Sequence, residues 1–414
     1  MSSDSPHHNR PTFSSTVVPV CTSLPPSLLC VLFSHRRPLG PVIARPISVL
    51  PHSTSIDASP DHRPFQFEVE FEMIIRPRDI SGISELTLPD FDATHRQRRS
   101  FNLNLLSVVA KLLTDAELHC NVFDQSSDEA PDYSKWHVSM DASVSKDHIV
   151  DGFYPVEVVS PILVGDPSWP TTMDRFWKIM HQHFEFRRDM LCGCNIHIST
   201  SSNGYNIDQL RPVAKSVVFW EEATARCEPP SRQDQVMTFC KSNVNHETEV
   251  SGLLHQADRV QGFLDAFAVI DSLSRDELVR YVCPDKYRSW NFLPSRDGGH
   301  GSVEFRRPPG VATTKKAKHW IAFTMAFMEM SINHDLVEFI RTRSTIFAVR
   351  APQRSDFEDL LLASARTAGV YSQLDARLCQ YDEPSIFYTS LVKKEDLEWL
   401  RRYDEAYGLP TPRT

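Results

Sequence analysis

No apolar run in this chain reaches the roughly 18 residues that a membrane-spanning helix needs. A transmembrane anchor is therefore not expected. There is no basic excess either. The net charge is -9, which gives a nucleic-acid partner no general support. A small anionic substrate would need a locally basic pocket or a bound metal. Cysteine is sparse: nine residues, odd in number and scattered, which does not fit a secreted disulfide framework. The reducing cytosol or nucleus is the default compartment, and a cytoplasmic protein is expected. Cys192 and Cys194 form a lone C-x-C with no second pair nearby, so a zinc site has little support. The glycine-rich turn Asp297-Gly-Gly-His-Gly301 is not followed by Gly-Lys-Ser/Thr, so it is not a P-loop. The chain shows no internal repeat.

What is present is the composition of a soluble globular protein, 41% hydrophobic and 23% charged over 414 residues. That length suits one large domain or two ordinary ones. Residues 1–63 are rich in Ser, Pro and His without periodicity and read as a disordered extension. The short apolar run Leu28 to Phe33 lacks the flanks of a signal peptide. Arg36, Arg37 and Arg45, with few acids around them, leave organelle targeting open. Residues 64–340 read as the folded domain, and 341–414 as a charged helical extension packed on it.

The stretch that organises the rest is Phe65 to Ile75. Phe65, Phe67, Val69, Phe71 and Met73 alternate with Gln66, Glu68, Glu70 and Glu72, the period of a half-buried strand. Three carboxylates then line one face, about 7 Å apart at ~3.3 Å rise per residue. Like charges in such a row repel unless a cation lies over them. A divalent metal is one answer; basic residues on a neighbouring strand are the other.

Further strand patterns follow at Trp136–Asp141, Gly152–Pro161, Cys192–Ser199 and Ser302–Arg307. The closeness of the first two predicts antiparallel neighbours. Helical spacing covers 100–118, 171–186, 207–226, 254–273 and 314–339, and charged helix is expected within 356–403. The fold class is α+β, a mainly antiparallel sheet with surrounding helices. Each strand pattern offers a chemical group: Glu70 and Glu72, then Glu157, then His197, then Glu304 with Arg306. A carboxylate such as Glu157, between Val156 and Val158, is costly to bury unpaired. One sheet could present all of these groups on a single concave face. Several Glu and one His suit Mg²⁺ or Mn²⁺ better than structural zinc. An Arg on that face suits transferring phosphoryl oxygens.

The set resembles the amidoligase family, of the fungal branch, among carboxylate-amine ligases with the glutamine synthetase-like fold. The matching pieces are Phe67-Glu-Val-Glu-Phe-Glu72, Trp136-His-Val-Ser-Met-Asp141, Val156-Glu-Val-Val-Ser-Pro161 and Cys192-Gly-Cys-Asn-Ile-His197. They continue with Pro229-Pro-Ser-Arg232, Tyr287-Arg-Ser-Trp-Asn291 and Val303-Glu-Phe-Arg306. Each piece is weak alone; their order and spacing make the match specific. The chain departs from the family at two places. Glu68 stands where Gly is usual, adding bulk and charge, and Asn195 stands where His is common.

The resemblance implies ATP-dependent amide-bond formation, with a carboxylate phosphorylated by ATP and an amine displacing phosphate. It implies metal at Glu70, Glu72, Glu157, His197 and Glu304. Arg306 and Glu304 would be the catalytic pair. Arg306, Arg232 and Asn291 would be the ATP-side residues. The expected partners are small-molecule or peptide carboxylate and amine substrates, with neither nucleic acid nor membrane. Two other readings stand beside it: a member with the fold but no turnover that serves as a binding module, and a metal-dependent hydrolase or phosphotransferase.

Overall fold

The computed structural model describes residues 65–78, 95–123, 132–141, 144, 147–200, 204–232, 240–245, 247–254, 259–342 and 354–375. The expected extension at 1–63 and the part of the chain after 375 lie outside the described residues.

Strand β1 (Gln66–Pro77) runs through the middle of a mixed, mostly antiparallel sheet. Its odd-numbered apolar residues are buried and its even-numbered polar ones half-buried, until Met73, Ile74 and Ile75 are all buried. At twelve residues it is long enough to serve several partners. On one side it pairs antiparallel with β4 (Tyr154–Val159) and, at its start, β5 (Leu163–Val164). On the other it pairs antiparallel with β7 (Cys194–Ser199) and, at its end, β6 (Phe184–Arg187). Beyond β4 lies β3 (Trp136–Met140), antiparallel as its spacing predicts, and then β2 (Cys120–Val122), parallel to β3. Beyond β7 lie β9 (Val303–Phe305) and β8 (Trp290–Asn291).

One face of the sheet is sealed by helices. Helix α1 (His95–Asp115) precedes β2. Helix α2 (Trp169–His183) packs on β1 and β3, with Phe176 stacked on Phe71 at 5.2 Å and on Trp136 at 4.7 Å. Helices α3 (Ile207–Phe219) and α4 (Glu221–Ala225) follow, then α5 (Ser251–Leu254), α6 (Arg259–Ser272) and α7 (Arg275–Val282). Helix α8 (Thr314–Asn333) covers β8 and β9, where Phe327 stacks on Trp290 at 4.4 Å and Phe323 on Phe305 at 5.7 Å. It is followed by α9 (Leu336–Thr342) and α10 (Arg354–Thr367). Phe357 of α10 lies 6.3 Å from Phe323 and Phe327. Stacked and edge-on ring pairs at these separations each add about 0.5–1.5 kcal/mol beyond area burial. The opposite face of the sheet holds the polar side chains.

The structure corrects several helix boundaries. The 207–226 span breaks at Trp220, whose backbone leaves helical geometry while its ring is buried 5.7 Å from Phe339 and 5.4 Å from Phe357. The 171–186 span ends at His183, because Phe184 turns extended and starts β6 against the far end of β1. The 314–339 span breaks after Asn333, where His334 is extended and Asp335 accepts bonds from the N–H groups of Val337 and Glu338. Helix α7, ending at Val282, lies beyond the expected 254–273 span. Its capping box at Ser274 and Glu277 marks its start.

Candidate metal and phosphate site

Pairing of the strands carries the polar side chains across the sheet in three rows. In the first, Glu68 stands opposite His197, His197 opposite Glu304, and Glu304 opposite Asn291. In the second, Asn195 stands opposite Glu70, Glu70 opposite Val159, and Val159 opposite His137. In the third, Glu72 stands opposite Glu157, and Glu157 opposite Ser139. Paired residues in a sheet project to the same face, so the rows form one polar surface. The structure thus brings Glu70, Glu72, Glu157, His197 and Glu304 together.

The contacts divide the surface into two linked groups. His197 Nε2 lies 3.2 Å from Glu70 Oε1 and 3.6 Å from Glu304 Oε1. Ligand atoms of Glu68, Glu70 and His197 lie within 4.8 Å of one another, the spacing of a cation site. Glu304 is buried: Asn291 Nδ2 donates to its Oε2 at 2.7 Å, and Arg306 Nη1 donates to its Oε1. Glu72 and Glu157 make the second group, with Ser139 Oγ donating to Glu157 at 3.2 Å. Asn195 joins the two, donating from Nδ2 to Glu70 at 3.1 Å and to Glu72 at 3.2 Å. In that position its amide offers an oxygen as well as the two bonds.

Electrostatics set these carboxylates apart. Burial, reinforced by repulsion from Asp141, pushes Glu72 up to about 7. Burial pushes Glu68 to about 7 too, with His197 opposing and Glu70 and Glu304 adding to the rise. Glu157 moves in the same direction through burial and the charges of Glu70, Asp141 and Glu72. Burial works against the charged forms of Glu70 and His197 as well, but their mutual attraction wins. Glu70 is held below its ordinary range and His197, facing Glu304 and Glu70, is pushed up to about 10. Burial and mutual repulsion thus drive Glu68, Glu72 and Glu157 towards their neutral forms unless a cation is present, the condition in which a hard cation replaces protons on carboxylate oxygens.

The other two residues singled out from sequence brace the surface. Arg232 is buried and donates to main-chain carbonyls: Nη2 to Arg306 at 2.7 Å, Nε to Arg307 at 3.0 Å and Nη1 to Met190 at 3.4 Å. It fixes the chain just past β9 from which the Arg306 side chain springs. Asn291 orients Glu304. Three further positions belong to the site: Asp141 and Gly193, which sequence reasoning misses, and Glu68, which it places in the carboxylate row but not in the ligand set. Glu68 is an intrusion at a Gly position by sequence, yet it joins Glu70 and His197. Asp141 shares the parity of His137 and Ser139 in its strand pattern, which is the available signal. At Gly193, a Cβ would lie 2.8 Å from Glu72 Oε2 and 3.1 Å from Arg232 Nη2, so a larger residue would push the ends of those side chains aside.

Comparison with protein families gives a match: the model described as "Putative amidoligase enzyme" covers residues 63–328. That span opens just before β1 and ends within α8, so it takes in the whole sheet and each site residue. No curated protein matches the chain.

Proposed function

The chain belongs to the amidoligase family, and from that premise we propose that it is an ATP-dependent carboxylate-amine ligase. It joins an amino-acid or peptide substrate to its partner through an acyl phosphate. The same reading takes the sheet to be of the glutamine synthetase type. The observation that carries it is the convergence of Glu70, Glu72, Glu157, His197 and Glu304, from four strands, onto one face. The donor set fits a hard divalent ion, Mg²⁺ or Mn²⁺: carboxylate oxygens dominate, and burial and repulsion leave them short of positive charge. Such an ion, when bound, neutralises the phosphate charge of a nucleotide.

The protein's own groups do the rest. Glu70, Glu304 and, once it gives up its second ring proton, His197 would hold the ion at one end of the polar face, with Glu68 beside them, and Glu72 and Glu157 at the other. Arg306 is 19% exposed and tethered to Glu304, which leaves a planar guanidinium next to the metal group. That is the geometry for contacting phosphoryl oxygens. Arg232 and Asn291 support nucleotide binding through Arg306 and Glu304, by holding them in place.

The test is an assay of ADP and phosphate release from Mg²⁺-ATP over a matrix of acids and amines. A ligase releases ADP only when both substrates are present. ADP released without an amine, or hydrolysis that needs no ATP, would reject the ligase reading. A nucleotide-dependent rise in melting temperature with no turnover across the matrix would instead mark a binding module of the same fold.

A further inference from the structure

The sheet ends at β8, which is two residues long and, among the described residues, has β9 as its strand partner. So short an edge needs another hold, because its second residue is Asn291, whose amide donates to Glu304. The hold comes from residues 240–245. Lys241 lies alongside Arg288 as a parallel bridge: its N–H donates to the Tyr287 carbonyl at 2.7 Å, and the Ser289 N–H donates to the Lys241 carbonyl at 2.6 Å. At Trp290 the backbone pairing gives way to a side chain. Asn243, fully buried, accepts the Trp290 N–H at Oδ1 (2.9 Å) and donates from Nδ2 to the Trp290 carbonyl (2.8 Å). Its amide takes the place of a peptide unit in an added strand.

The rest of that amide is engaged too. Nδ2 also donates to the Val282 carbonyl at 2.9 Å, and Oδ1 also accepts the Ser289 hydroxyl at 2.8 Å. Both donors and both lone pairs are then taken, so the amide has one orientation. Val282 ends α7 and is followed by Cys283, whose thiol donates to Asn291 Oδ1 at 3.6 Å; the Leu293 N–H donates to the same oxygen at 3.0 Å. With Oδ1 taken, Nδ2 of Asn291 is the end left to face Glu304 Oε2, at 2.7 Å. Asn243 therefore ties together the two segments, Val282–Cys283 and β8, between which the Asn291 amide is set. Apolar packing does not do this. The Trp290 ring is stacked on Phe305 at 4.1 Å and on Phe327 at 4.4 Å, which keeps β8 against the core. That attraction is non-directional, whereas hydrogen bonds to one amide fix the backbone from which Asn291, next along the strand, projects to the opposite face.

We propose that Asn243 is a positioning residue for the metal group: by setting the β8 backbone it aims Asn291, and Asn291 aims the Glu304 carboxylate. The ligase reading supplies the role of Glu304, so the inference rests on it. Loss of a group that orients a metal ligand from behind typically weakens the metal ten- to a hundredfold. A residue one step further back belongs at the low end of that range.

The experiment is Mn²⁺ binding to the full chain without nucleotide, followed by electron paramagnetic resonance, beside urea denaturation. Wild type is compared with Asn243→Ala, with Asn291→Ala, with the two combined, and with Ser289→Ala, which removes one bond to the Asn243 amide. Asn243→Ala should weaken Mn²⁺ about tenfold, and Ser289→Ala about threefold. In the Asn291→Ala background Asn243→Ala should change the affinity by less than about twofold, while its cost in urea stability remains. A residue that only supports the fold would weaken Mn²⁺ equally in both backgrounds. That result, or wild-type affinity in Asn243→Ala and Ser289→Ala, overturns the positioning role and leaves the ligase reading standing. Should Asn243→Ala fail to fold, Ser289→Ala with and without Asn291→Ala makes the same comparison. A wild-type chain that binds no Mn²⁺ overturns the metal reading itself, and the positioning role with it.

Discussion

Gly193 and Glu72 are packed so closely that the carboxylate of one occupies the space a side chain on the other would need. A Cβ at residue 193 would sit 2.8 Å from Glu72 Oε2, inside van der Waals contact, and 3.1 Å from Arg232 Nη2. Arg232 is held by three carbonyls and Glu72 by one bond from Asn195 to its Oε1, so the carboxylate is the group that gives way. Gly193→Ala should therefore turn Glu72 away from Glu157. We expect a modest stability loss of about 1–3 kcal/mol, the usual cost of overpacking. Ligase turnover should fall by far more than that loss explains, and activity assays beside urea denaturation would show it. Turnover within twofold of wild type would mean that Glu72 is not where the metal needs it.

Glu72→Gln separates function from stability in the opposite direction. In the metal-free protein Glu72 is buried among Asp141, Glu70 and Glu157, and its charge is repelled. An amide of the same shape removes that repulsion. The variant should melt higher than wild type without Mg²⁺ and lose the Mg²⁺-nucleotide shift that wild type shows. Thermal melts in four conditions (each protein, with and without Mg²⁺-ATP) read both effects. A variant that keeps the shift removes Glu72 from the metal group.

How much of this is legible in the sequence depends on the distance over which each feature is decided. The period-two pattern at Phe65–Ile75 is local, because alternation along one strand fixes which residues share a face; so are the parities of Glu157, His197 and Glu304. Which strands neighbour one another is not local, and only the pairing Glu72–Glu157 or Glu68–His197 joins those faces into rows. Helix ends depart from the sequence expectation where tertiary packing overrides periodicity. Trp220 is apolar and fits a helix, but its ring is taken by Phe339 and Phe357 from later helices. Phe184 leaves its helix because the far end of β1 has backbone groups to satisfy. Glu68 falls outside the expected ligand set because the family resemblance places Gly there, whereas its place in the metal group follows from His197 standing opposite.

Arg306→Lys tests the phosphate role. Arg306 is tethered to Glu304, and its plane is what a phosphoryl group would meet. Lys keeps the charge but presents a point donor in place of a fork. Turnover should drop by about ten- to a hundredfold, the effect of replacing a bidentate interaction with a single bond. The melting temperature should change little, since the backbone here is held by Arg232. Wild-type kcat and KM for ATP in this variant would count against any contact between Arg306 and the nucleotide.

A last expectation concerns acid stability and lies away from the metal group. His319 on α8 is buried, with its Nδ1 accepting the N–H of Asp375 at 3.2 Å. Burial, helped by Lys316 and only partly offset by Asp375, pushes its imidazole down to about 3 from an ordinary 6.5. The native state therefore keeps a neutral ring where the unfolded chain takes up a proton. The stability it contributes is complete above 6.5 and is lost as pH falls towards 3. The loss runs at ~1.4 kcal/mol per pH unit below 6.5, or about 2.5 kcal/mol between neutral pH and about pH 4.5. His319→Gln keeps an acceptor for Asp375 and removes the titration. Urea denaturation over a pH series should show wild type losing stability on acidification faster than the variant, by about that amount. Parallel pH curves for the two proteins would mean that the buried ring is reached by water or protonated in the native state.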